Sequence, residues 1–185
     1  MTIYDHFQNF ELTGDQQEAV SAIEQFLQND VPVFRLTGYE GTGKTTLMNG
    51  LCQHLGHNHR SYSLMAPTGR AAMVLNGRTG KGASTIHRGI YNMNDLLEKK
   101  EGTSFKYYYG LGQSWESSDH VYIIDEASMI SDAHTDQEFF VFGSGRLLKD
   151  LFHYVFQNNA SRKIIFIGDN AQLPPVGMNF SPALD

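Results

Sequence analysis

The sequence predicts an α/β fold, a mainly parallel sheet with helices on both faces, on three observations. Four short apolar runs, at 33–37, 62–66, 121–125 and 164–168, recur along the chain. Helical stretches separate them, and strands that alternate with helices build parallel sheets covered by their own crossovers. The first run passes through a glycine loop straight into a helix, the arrangement that sets phosphate groups at a helix N-terminus.

Each element follows from local signals. Thr13 and Gln16 form a capping box, ahead of a helix that carries Val20, Ile23, Phe26 and Leu27 on one face. Pro32 punctuates the start of the first strand. The helix from Lys44 is expected to end near Gly56, and another runs from Arg70 to Gly77, where glycine suits a C-terminal cap. A later helix at 146–156 has Leu147, Leu148, Leu151, Phe152 and Val155 at core spacing. The stretch 92–118 breaks the alternation: it is charged, then aromatic, then glycine-rich, and reads as a small inserted subdomain. Within it, 105–109 and 111–115 are expected to pair as a hairpin turning near Gly110 and Gly112.

At 185 residues the chain is expected to be a single domain with a sizeable core of its own. Its net charge of −6 supplies no diffuse cationic field for gripping nucleic acid, so any polyanion contact must be local. The single cysteine, Cys52, has no internal disulfide partner and is read as buried filler in a reducing compartment. No apolar run reaches membrane-spanning length and the N-terminus lacks a leader pattern, so the expectation is a soluble, cytoplasmic protein without membrane contact. His54, His57 and His59 span a helix end and a loop without a second ligand cluster, and no metal is assigned to them.

The chemistry concentrates in three places. In VFRLTGYEGTGKTTL, Gly38, Gly43, Lys44 and Thr45 satisfy G-x-x-x-x-G-K-[ST], the phosphate-binding loop. Its backbone N–H groups and the following helix dipole suit phosphate oxygens, so Gly38, Gly41, Thr42, Gly43, Lys44, Thr45 and Thr46 form the expected nucleotide-binding set. Lys44 is a point charge for the β/γ-phosphates, and the Thr45 hydroxyl is a Mg²⁺ ligand. The third strand ends in Asp125 and Glu126, at the carboxyl edge where open α/β sheets bind ligands; Asp125 is assigned to the metal and Glu126 to the attacking water. The fourth ends in GDNAQLPP, where Gln172 is either a γ-phosphate sensor or part of a stiffened turn.

Taken together, LTGDQQEAV, GYEGTGKTT, APTGRAA, STIHR, IIDEAS and GDNAQLPPVG resemble, in order and spacing, the RecD-like and Dda-like helicases of superfamily 1, over 12–177. The resemblance implies a RecA-like P-loop NTPase motor domain that uses ATP and Mg²⁺ to travel 5′ to 3′ on single-stranded DNA, with recombination or repair proteins as partners. It implies that the GDNAQ strand lies between the phosphate-loop strand and the DEAS strand. It makes Gln16 an adenine reader, in competition with the capping box for the same amide. Thr68 and Arg70 of APTGRAA, and Thr85 and His87 of STIHR, are similar to the family's DNA-contacting motifs; the rival readings are a helix-capping hydroxyl for Thr68 and a packed imidazole for His87. The insertion falls where such helicases carry a strand-separating hairpin, and Tyr107, Tyr108, Tyr109 and Trp115 either stack on bases or pair across strands.

Two departures stand out. Tyr39 and Glu40 occupy loop positions where the family has small residues or proline, and a carboxylate beside a triphosphate is repulsive. The motifs of a second RecA-like domain, with its arginine for the γ-phosphate, are not among these residues, so the expectation is the first motor domain of a longer helicase. The competing readings are a P-loop nucleotide switch or partner-docking module without translocation and, last, a small-molecule kinase.

Overall fold

A computed structural model describes residues 2–8, 10–101, 104–135 and 139–185. In chain order the main elements are a 3-10 helix (Ile3–Phe7), α1 (Gly14–Gln28), β1 (Val33–Thr37), α2 (Lys44–His57), β2 (Tyr62–Ala66), α3 (Gly69–Thr79), β3 (Ala83–Thr85), α4 (Ile86–Ile90), β4 (Tyr91–Glu101), β5 (Ser104–Leu111), β6 (Val121–Ile124), β7 (Phe140–Phe142), α5 (Leu147–Phe156) and β8 (Lys163–Gly168). The main sheet has the order β1-β8-β6-β2-β3 with every pairing parallel. The GDNAQ strand β8 thus lies between β1 and β6, and the α/β RecA-like P-loop fold expected from the sequence is present.

Alternation along each strand divides the core in two. Val121, Ile123, Ile165 and Ile167 face one side and pack with Val20, Ile23 and Phe26 of α1, Leu47, Leu51 and Leu55 of α2, and Leu75 of α3. Tyr122, Ile124, Ile164 and Phe166 face the other, against Ile86 and Ile90 of α4 and Leu148, Leu151 and Val155 of α5. A central strand buried on both faces is apolar at every position, as β6 is. Cys52 is buried in the first layer, and burial pushes its thiol up to about 12, which keeps it protonated and inert.

Two expectations are corrected. The helix from Arg70 does not stop at Gly77: α3 continues to Thr79, and Gly80, at φ 62°, is the left-handed residue that ends it. The hairpin pairs differently as well. Residues 105–109 do form a strand, but within β5, whose antiparallel partner is β4, with Leu96 opposite Tyr109 and Glu98 opposite Tyr107. Residues 102–103, between the two strands in sequence, lie outside the described residues. Leu111 closes β5 opposite Tyr91, and no strand occupies 112–117. Gly112 marks a close approach: its N–H donates to the Ile90 carbonyl at 2.7 Å, and a Cβ there would meet that oxygen at 3.0 Å. The small sheet is completed by β7, parallel to β5 and drawn from outside the 92–118 stretch.

Candidate functional site

The phosphate loop leaves β1 at Thr37 and enters α2 at Lys44, with Gly41 and Gly43 at φ 81° and 89°, a conformation open to glycine at little cost. The loop is tied to itself and to the sheet. Gly38 N–H donates to the Gly168 carbonyl at 3.2 Å, and Thr42 Oγ1 donates to the Tyr39 carbonyl at 2.7 Å. Lys44 Nζ folds back to donate to the carbonyls of Gly38 and Tyr39 at 2.6 and 2.8 Å. Thr46 is half-buried one residue beyond Thr45 in the first turn of α2.

A cavity of about 390 Å³ opens over this loop, lined by Glu40, Gly41, Gly43, Lys44, Thr45, Val74, Arg78, Asp125, Glu126, Gly168, Asp169 and Gln172. Three strand ends meet there because β1, β8 and β6 are neighbours in the sheet. Asp125 N–H still follows the sheet register, donating to the Met65 carbonyl at 2.9 Å. Glu126 then turns the chain out at φ 52°, a left-handed conformation uncommon for a residue with a Cβ. Burial raises the Asp125 carboxyl above its ordinary range, while the Glu126 backbone N–H and the charges of Arg78 and Lys44 draw it down. Glu126 is raised by burial first and by the Asp125 charge second, with Lys44 and Arg78 opposing and Glu40 adding to the rise. The Thr45 hydroxyl and the Asp125 carboxylate are hard oxygen donors on one cavity, which fits Mg²⁺.

Gln172 is held by its oxygen. The fully buried Ser128 donates its Oγ proton to Gln172 Oε1 at 3.0 Å, and among the described residues the Gln172 NH₂ group makes no hydrogen bond. Gln16 uses both ends of its amide: Oε1 accepts the Thr13 N–H at 3.1 Å to complete the capping box of α1, and Nε2 donates to the Thr42 carbonyl at 2.9 Å. The cap and the phosphate loop therefore share one side chain. Sequence reasoning gave no role to Ser128, although it stands in the IIDEAS motif. It missed Arg78 altogether, whose signal is only its helical spacing of four from Val74.

A second cavity, of about 230 Å³, lies between the sheets and brings together Pro67, Thr68, His87, Tyr91, Met129, Phe140 and Phe142, among others. Thr68 Oγ1 accepts the Ala71 N–H at 3.1 Å and Thr85 Oγ1 the Arg88 N–H at 3.1 Å, so both hydroxyls cap helices. His87 packs edge-on to Phe142, with ring centroids 5.1 Å apart, and burial lowers its basicity. Arg70 is exposed; neither it nor Thr85 lines this cavity. Tyr109 stacks on Phe142 at 4.9 Å and Tyr107 lies 5.7 Å from Phe140, so these two rings pair across strands, while Trp115 is 85% exposed. No helix among the described residues is long and apolar enough to cross a membrane.

A family model described as an AAA domain matches residues 11–179. An uncharacterized protein of Methanocaldococcus jannaschii is 34% identical over 182 residues, which cover 92% of this chain and 13% of that protein. The ATP-dependent RecD2 DNA helicase of Deinococcus radiodurans is 29% identical over 170 residues, covering 88% of this chain and 19% of the helicase. The chain thus spans less than a fifth of either of these two relatives. The crystal structure of the Pif1 helicase from Candida albicans matches with a TM-score of 0.54 at 21% identity, over 95% of this chain and 37% of that one. A structure of two Pif1 helicases coordinating at forked double-stranded DNA matches equally, at TM-score 0.54 and 21% identity, over 92% and 36%. At that identity the likeness is one of fold.

Proposed function

The chain belongs to the AAA-domain family as a RecA-like P-loop motor domain related to superfamily 1 helicases of the RecD and Pif1 type, and on that premise we propose that it is the ATP-binding first motor domain of an ATP-dependent DNA helicase. The observation that carries the reading is the single cleft that gathers Lys44, Thr45, Asp125, Glu126 and Gln172 from three neighbouring strand ends. In this reading Lys44 exchanges the Gly38 and Tyr39 carbonyls for phosphate oxygens, and the loop N–H groups and α2 dipole take the remaining charge. The Thr45 hydroxyl and the Asp125 carboxylate would hold Mg²⁺, which would offset the negative charge of the phosphates. Glu126, whose raised carboxyl is suited to accept a proton, orients the water for in-line attack on the γ-phosphorus. Gln172, anchored by Ser128 with its NH₂ group unpaired among the described residues, reports whether the γ-phosphate is attached.

Gln16 reads adenine only by releasing its bridge to Thr42, so base selectivity is weakened by the cost of that bond. Single-stranded DNA passes over the face of Thr68, Arg70, Thr85 and His87, whose contacts to phosphate position the strand without reading it. The β4–β5 hairpin stands beside that face as the strand separator. A second RecA-like domain elsewhere in the whole protein completes the DNA track and supplies an arginine to the γ-phosphate, worth about 10³ to 10⁵ in rate in P-loop enzymes that use one.

The test is titration of the chain with a fluorescent ATP analogue and Mg²⁺, with and without a short single-stranded DNA, on wild type and Lys44→Ala. Binding that depends on Lys44 and responds to DNA is expected. Lys44-dependent binding indifferent to DNA favours a nucleotide switch or docking module instead, and binding unaffected by Lys44→Ala overturns the cleft assignment.

A further inference from the structure

Arg78 lies in the last turn of α3, outside every motif that the helicase resemblance covers, yet it lines the cleft with Lys44, Asp125 and Glu126. Val74, one turn earlier, lines it too, so this face of α3 is a wall of the nucleotide site. The cleft holds two basic side chains, Lys44 and Arg78, against four carboxylates, Glu40, Asp125, Glu126 and Asp169. A triphosphate would enter a site already rich in negative charge, and Lys44 alone does not offset it.

The two cations differ in readiness. Lys44 donates two of its protons to loop carbonyls. The Arg78 guanidinium is exposed and, among the described residues, makes no hydrogen bond or ion pair. It presents five N–H donors in a planar fork whose geometry matches phosphate oxygens. Its charge reaches the strand end as well, since it opposes the rise of both the Asp125 and Glu126 carboxyls. Arg78 thus shares the cleft with the two strand-end carboxylates, while Gln16 is not among the residues that line it.

We propose that Arg78 is a cation supplied by this domain itself to the terminal phosphate of a bound nucleoside triphosphate, a contact that distinguishes triphosphate from diphosphate. The inference rests on the nucleotide-binding reading of the cleft. The ordinary rival is a solvated cation that complements the dipole at the C-terminal end of α3, which would affect helix stability and not nucleotide discrimination.

The experiment is parallel titration of the chain with fluorescent ATP and ADP analogues and Mg²⁺, on wild type, Lys44→Ala, Arg78→Ala and Arg78→Lys, with urea unfolding of each variant. Lys44→Ala is expected to lose both nucleotides. Arg78→Ala is expected to lose roughly tenfold to a hundredfold in ATP affinity, the range of a charge-assisted hydrogen bond, with ADP affinity nearly unchanged. Arg78→Lys restores part of the loss, because it keeps the charge without the fork. Equal effects of Arg78→Ala on ATP and ADP, or none on either, overturn the role of Arg78 while the Lys44 result keeps the cleft. No nucleotide binding by wild type, or binding indifferent to Lys44→Ala, overturns both. If Arg78→Ala fails to unfold cooperatively, Arg78→Lys decides: a partial loss of ATP affinity with ADP affinity unchanged supports the contact, and no loss, or a loss shared equally by ADP, overturns it.

Discussion

Replacing Gln16 separates two jobs that one amide performs. Gln16→Ala removes both the Thr13 N–H···Oε1 bond at 3.1 Å and the Nε2–H···O=C bond to Thr42 at 2.9 Å. Each is a neutral hydrogen bond outside the core, so each contributes about 0.5–1 kcal/mol, and the variant should be about 1–2 kcal/mol less stable. Gln16→Glu is the sharper variant. A carboxylate still accepts the Thr13 N–H, and one at the third helical position favours the dipole of α1, but it cannot donate to the Thr42 carbonyl. The cap therefore survives while the tether to the phosphate loop becomes a repulsion. Urea unfolding should give a lower midpoint with unchanged slope for Gln16→Ala. For Gln16→Glu, hydrogen exchange should accelerate in the loop 38–43 and not in the first turn of α1. Loop exchange equal to wild type in Gln16→Glu would refute the tether, and an undiminished midpoint in Gln16→Ala would refute both bonds.

Other consequences follow from the same cleft. Asp125 and Glu126 have folded pKa values raised by burial, so the folded chain holds more protons than the unfolded one between the ordinary carboxylate range and the raised values, and their contribution to stability falls as pH rises through that window. Asp125→Asn should accordingly raise the urea midpoint at pH 7, lose that advantage at the acid end of the window, and abolish the Mg²⁺ dependence of nucleotide binding; an unchanged or lower midpoint at pH 7 would count against a buried charge. Glu126→Gln should keep nucleotide affinity and remove hydrolysis, as measured by phosphate release, and an unchanged rate would take Glu126 out of the water-orienting role. Gly43→Ala places a Cβ 2.5 Å from Gln16 Nε2 on a residue at φ 89°. Left-handed strain and the displaced Gln16 bond should cost about 2–3 kcal/mol in urea unfolding, and a near-neutral result would mean that the loop relaxes freely.

Much of the cleft was legible because its residues sit in short motifs at the ends of apolar runs. Residues 33–37 and 62–66 coincide with β1 and β2, and a fully apolar run such as Val121 to Ile124 leaves little doubt about a strand buried on both faces. The hairpin was harder. Alternation tells which face a side chain takes, but not which strand it pairs with, and the aromatic run of β5 found its partner in the charged segment of β4. The short strands β3 and β7 carry three residues each, too few for a periodic pattern.

The amino-acid sequence by itself determined the α/β class, the phosphate loop and the carboxylates at the strand ends, because each depends on residue type within a few positions. Tertiary structure alone decided that Gln16 bridges a helix cap to the Thr42 carbonyl, that Ser128 anchors Gln172, and that Arg78 reaches the cleft. The two hydrogen bonds join residues 26 and 44 positions apart, and Arg78 shares the cleft with Glu126, 48 positions further on; such proximity is set by strand order and helix packing and leaves no local pattern in the chain.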